Sequence, residues 1–275
     1  MTFETIQMNK YCNDFHNGEN IFFCKIDLIL QEFSFLRHIG RDVILIVSSG
    51  DITFTENHLN HCPSNVKQIF ATNTNIINDL VIPIPTGIEN EFLASRDGHG
   101  IVNDGVFQKL EYLKPQDRKL INIFDKFYAN FSIQNAGTHL HSIYRGYRNE
   151  IKKICEDSNF IDFESGLDLG QYFEKVLSYK ASISPTGNGI ECVRTWELMY
   201  MDRVPIVVGG LNLHSAIYQN IYKDLPLIFI EDVGLLNDKN FLMRKVDQAM
   251  TKPKDKLDYN YWKDFISEKI KEKKL

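Results

Sequence analysis

The sequence predicts an α/β protein made of two consecutive units, each a parallel sheet covered by helices on both faces. Three observations carry this. Apolar runs of strand length, such as "DVILIVSS" and "LPLIFIE", recur without polar alternation, as strands buried on both faces do. Amphipathic helical stretches separate them. The alternation loosens between Thr86 and Gln116, where "SRDGHGIVNDG" reads as a loop, and then restarts. The expected division is 1–115 and 116–275, two Rossmann-like units facing one another.

In order, "NIFFCKI" is the first strand. "DLILQEFSFLRHIG" is a helix with Asp27 as cap and Gly40 as stop. "DVILIVSS" is the next strand, and a short helix follows near Glu56 to His61. "VKQIFATN" and "DLVIPIP" complete the first sheet. The second unit opens with "KFYANFSI" and a helix from about Thr138 to Cys155. Strand "NFIDFE", helix "DLGQYFEKVLS" and strand "YKASISP" come next. A helix from about Ile190, strand "VPIVVG", a helix after Leu213 and strand "LPLIFIE" follow, and helices near 237–250 and 259–274 close the chain.

The formal net charge of -5 lacks the basic footprint of a nucleic-acid binder. The lysine-rich end "SEKIKEKKL" reads as a solvated helix end. The N-terminus lacks the basic and apolar regions of a signal peptide, and no apolar run reaches the roughly 18 residues of a membrane span. Peripheral membrane contact stays open. Five scattered cysteines without a CxxC predict reduced thiols and a cytoplasmic location. "HLNHC" and "HLH" hold incomplete ligand sets, so neither metal nor cofactor is expected.

The most informative segment is "SPTGNGIECVRTWELMYMDRVPIVV", Ser184 to Val208. A strand, a glycine-bearing turn and a helix start form a ready anion site, because free amides and the helix dipole favour phosphate. Gly187 and Gly189 would let a pyrophosphate approach the backbone, although a plain tight turn has the same Gly-x-Gly. At 100° per residue, Glu191, Arg194 and Glu197 share a wedge of about 120°, with Val193, Trp196 and Tyr200 roughly opposite. Arg194 suits a forked contact with phosphate and Glu197 a ribose; a plain Arg194–Glu197 surface pair is the alternative. Glu191 suits the helix start but would repel a diphosphate, so it is expected to orient Arg194 or touch the sugar.

This segment resembles the C-terminal signature of exostosin-like glycosyltransferases, with its Pro-x-Gly-Asn-Gly, acidic residue, Arg, Trp-Glu pair and Pro-Ile-Val strand. "IYKDLPLIFIEDVGLL" is similar to the segment that follows it in that family. "ILIVSSGD", "IPIPTGIEN" and "YANFS" agree more weakly. The resemblance spans most of residues 20–236. It implies a GT-B fold, with two Rossmann-like domains about a cleft. It also implies inverting, metal-independent transfer of a sugar from a nucleoside-diphosphate donor, expected to be a UDP-sugar, to a glycan or other hydroxyl acceptor. It places Arg194 and Thr195 at the donor and Glu197 on the ribose. Gly187, Asn188 and Gly189 lie under the nucleotide, and Arg148, or less well Arg145, supplies a further arginine. "VRT" and Met201-Asp202-Arg203 depart from the family pattern and put the acceptor in doubt.

Inverting transfer needs a base for the acceptor hydroxyl and positive charge for the leaving diphosphate. Asp51, ending an apolar strand, is the candidate base; an ordinary cap is the other reading. His58 and Glu89 stand in reserve. No Asp-x-Asp occurs, and "DFE" at Asp162 to Glu164 is the nearest arrangement. The alternatives are a nucleotide-sugar epimerase-like enzyme and a non-catalytic nucleotide- or carbohydrate-binding protein.

Overall fold

The computed structural model describes residues 4–50, 52–89, 113, 123–133, 141–187, 189–209 and 211–273, with side chains omitted at 141–146 and 211–214. The first sheet holds β1 (Ile21–Lys25), β2 (Val43–Ser48), β3 (Val66–Ala71) and β4 (Val81–Pro83), in that order and all parallel. β2 is buried throughout, as its unbroken apolar run requires. Pro83 falls on the edge strand β4, where its missing N–H is tolerated.

The second sheet holds β5 (Phe127–Asn130), β6 (Ile161–Glu164), β7 (Ala181–Pro185), β8 (Val204–Val208) and β9 (Ile228–Ile230). Its order is β6-β5-β7-β8-β9, again all parallel. The chain therefore reverses direction of growth between β5 and β7, and the crevice at the carboxyl ends of such a pair is where open α/β sheets bind ligands.

Helices α1 (Met8–Phe15), α2 (Ile29–Leu36) and α3 (Glu56–Leu59) belong to the first half. Helices α4 (His141–Asp157), α5 (Leu169–Leu177), α6 (Val193–Tyr200), α7 (Leu211–Asn220), α8 (Lys239–Met250) and α9 (Tyr259–Glu272) follow in the second. α5 begins with the capping box that its sequence suggests, Asp168 accepting from the Gln171 amide. Asp27 is not a cap: it lies inside a short 3-10 turn, and Leu28 precedes α2 without any side-chain cap. α1 is absent from the expectations above; it carries only two buried positions, Tyr11 and Phe15.

The two halves share a core. One apolar cluster joins Ile44, Ile46 and Phe70 of the first sheet to Tyr128, Trp196, Leu198 and Tyr222 of the second half. The termini cross this junction. The Tyr259 amide donates to the Glu4 carbonyl, the Ile6 amide to the Tyr200 hydroxyl, and the Tyr259 hydroxyl to Asp14. The expected boundary at 115/116 lies outside the described residues. All five cysteines are free thiols, and among the described residues no helix is long and apolar enough to cross a membrane.

Candidate functional site at the β5–β7 crevice

The crevice is organised by Arg148. This residue sits on α4 and is only 4% exposed. Its Nε donates to the Thr186 carbonyl at 2.7 Å and its Nη1 to the Ser132 carbonyl. Thr186 follows β7 and Ser132 follows β5, so one guanidinium ties together the two strand ends at the switch point. Burial lowers the Arg148 pKa, and the neighbouring charge of Arg194 lowers it further. The two guanidinium groups are thus near enough to act on one another.

Arg194, on the first turn of α6, lies over the Tyr172 ring of α5, its guanidinium carbon 5.9 Å from the ring centroid. Its Nε and Nη1 are sealed from solvent and make no hydrogen bond of good geometry; the Tyr172 hydroxyl beside them interacts with the guanidinium only loosely. Buried polar groups are normally paired, and leaving one unpaired costs about 1–3 kcal/mol. Arg194 Nε and Nη1 and the Tyr172 hydroxyl are thus poorly satisfied by the protein, and better-placed acceptors would be favoured there. Burial pulls the Arg194 pKa down, but Tyr172, Cys192 and Glu197 more than offset this, and the net shift is upward. Glu197, 5% exposed, lies one turn further along α6 and acts on both Arg194 and Tyr172.

The loop between β7 and α6 is tied to the first half of the chain. Glu191 is 4% exposed. One carboxylate oxygen accepts from the Thr86 amide at 2.7 Å and the other from the Trp196 indole at 3.2 Å. The Glu191 amide donates to Asn73 Oδ1 at 2.9 Å. These contacts pull residues 189–192 out of helical geometry, so α6 starts at Val193, later than the sequence suggests. Glu191, expected at the donor, is occupied by the junction. Burial pushes its pKa up to about 7, against the lowering effect of Thr86 and Trp196. Gly189 also serves the junction: a Cβ there would lie 2.6 Å from Asn73 Oδ1. Gly187 differs, since its nearest neighbour would be Cys192 Sγ at an ordinary 3.6 Å. The Thr195 hydroxyl, also expected at the donor, is 2.9 Å from Ser184 Oγ in the buried seam between α6 and β7.

Asp51 and Asn188 lie outside the described residues. Arg145 falls within α4, but its side chain is not described. His58 closes a capping box with Thr55 at the start of α3 and stacks on Phe54, which makes it a helix cap. Glu89 adjoins the Gln7–Ile88 bridge. Asp162 is paired with Lys126 and Tyr179, and Glu164 with Lys175 and Tyr128. Among the described residues no cluster of His, Cys, Asp and Glu could hold a metal ion.

Neither a protein-family model nor a curated protein matches the chain. The chemistry of the crevice is read from its own geometry. That geometry includes residues the sequence did not single out, namely Tyr172, Asn73 and Thr86. Asn73 had a signal: an Asn just after a buried strand is a common choice for the left-handed conformation it adopts here, with φ 48°. Tyr172 had none, because only folding brings α5 beside α6.

Proposed function

We propose that the protein is an inverting glycosyltransferase of GT-B architecture that binds its nucleoside-diphosphate sugar at the β5–β7 crevice. The observation that carries this reading is the convergence of the poorly satisfied Arg194 Nε and Nη1 and Tyr172 hydroxyl beside the switch point. A diphosphate supplies acceptor oxygens for all three, and the first-turn amides of α6 add partial positive charge. Arg148 keeps the crevice electropositive while holding its floor. Glu197, buried one turn from Arg194, is the residue we assign to the ribose hydroxyls. The resemblance further assigns Gly187 and Asn188 to the nucleotide, and the sequence makes Asp51 the candidate base for the acceptor hydroxyl. The arrangement of two parallel sheets joined at a common core, with loops from their carboxyl ends in contact, supports the architecture.

Calorimetric titration with uridine and with UDP tests the reading. Arg194→Ala should weaken UDP by about 1.5–3 kcal/mol, the value of a charge-assisted contact, with a smaller effect on uridine. Glu197→Gln should weaken both alike. If both variants bind UDP as the wild type does, the donor assignment fails. UDP binding without any product from labelled UDP-sugars would leave a binding protein and no transferase.

A further inference from the structure

We propose that Asn73 and Glu191 are positioning residues, forming a clamp through which the N-terminal half sets the shape of the loop beneath the anion crevice. The proposal rests on the reading of that loop as part of the donor site. Four observations meet at this point. Asn73 Oδ1 accepts from the Glu191 amide, and Asn73 Nδ2 donates to the Gly50 carbonyl at 3.3 Å. Asn73 itself is held at φ 48°, a conformation disfavoured for residues other than Gly, Asn and Asp. Gly189 has no room for a side chain against the Asn73 amide. The Glu191 carboxylate reaches back to the Thr86 amide, from the loop after β4. The loops after β3 and β4 thus grip one short stretch, Gly189 to Glu191, from two sides.

A role as mere glue explains this poorly. The shared apolar core already joins the halves, and the termini add polar ties elsewhere on the junction. A carboxyl group without a cation is a costly choice for adhesion alone. Tyr11 from α1 and Tyr222 from the 3-10 turn before β9 both face Glu191, and neither supplies positive charge. The clamp instead fixes the direction in which the chain enters α6. It therefore fixes where Arg194, three residues past Glu191, points its guanidinium.

The titration of Glu191 gives the clamp a signature. Burial favours the protonated form in the gripped loop, with a pKa near 7 against an ordinary 4.5. Release of the loop to water should become easier as pH rises from about 5 to 7, and level off above that.

The test is amide hydrogen exchange on the full chain, expressed as protection relative to unstructured peptide, between pH 5.5 and 8.5. Asn73→Gly keeps the unusual φ but removes the side chain. It should cut protection across Gly189–Glu191 at least tenfold while leaving β2 and β7 unchanged, and should weaken inorganic pyrophosphate severalfold. Glu191→Gln should abolish the pH dependence of loop protection seen in the wild type. Unchanged loop protection in Asn73→Gly, or a wild-type pH profile in Glu191→Gln, overturns the clamp. A wild type that binds no pyrophosphate counts against the donor site alone, and the exchange measurement then decides the clamp by itself.

Discussion

Replacing Gly189 by Ala adds one methyl group at the point where the two halves meet. The new Cβ would sit 2.6, 2.7 and 2.8 Å from the Oδ1, Cγ and Nδ2 atoms of Asn73. Carbon does not approach other heavy atoms so closely, so the Asn73 amide must leave. It cannot do so freely, because Oδ1 holds the Glu191 amide and Nδ2 the Gly50 carbonyl. Losing two hydrogen bonds costs about 1–3 kcal/mol, and stranding the buried Glu191 N–H adds about 1–3 kcal/mol. The expected destabilisation is therefore about 2–6 kcal/mol, read from urea unfolding followed by fluorescence. A double-mutant cycle isolates the cause. In an Asn73→Gly background the methyl group has space, and the cost of Gly189→Ala should fall below about 0.5 kcal/mol, as at a surface site. The reasoning is refuted if Gly189→Ala costs under about 0.5 kcal/mol in the wild type, or costs the same in both backgrounds.

Glu191 binds a proton more tightly in the folded chain, so its contribution to stability is full below about pH 4.5 and declines until the pH passes about 7. At 1.36 kcal/mol per pKa unit this amounts to something on the order of 3 kcal/mol. The stability of the wild type minus that of Glu191→Gln should fall by that order between pH 5 and 8, and a difference constant with pH would sink the assignment. Arg148→Met should cost about 2–4 kcal/mol, because two charge-assisted bonds to strand-end carbonyls are lost; denaturant titration showing under about 1 kcal/mol would mean that the strand ends hold without it. Sugar transfer from labelled UDP-sugars should persist in excess EDTA, since the sequence carries no Asp-x-Asp to hold a metal on the diphosphate. Loss in EDTA with recovery on adding manganese would redirect attention to Asp162 and Glu164.

What the sequence determined by itself is the alternation. Runs such as Val43–Ser48 and Val204–Val208 are apolar at every position, and only a strand covered on both faces buries such a run. Hence the strands, their parallel pairing and most helices were legible. So was the concentration of chemistry on Ser184–Val208, because glycine-bearing turns and grouped charges are local features. What the tertiary structure decided is which of those residues face a ligand and which face protein. Glu191, Arg194 and Glu197 look alike by spacing. Glu191 is withdrawn by Thr86, more than a hundred residues away in sequence, and Thr195 by Ser184 across the helix–sheet seam. Arg194 Nε and Nη1 are left without a well-formed hydrogen bond because Tyr172 covers the guanidinium with its ring and bonds it only loosely. Gly189 illustrates the same division: the need for a small residue is visible in the sequence, but whether a phosphate or an asparagine demands it depends on what the other half of the chain places there. Helical period and strand period report only which side of an element is apolar, and the identity of the neighbour on that side is set by long-range packing.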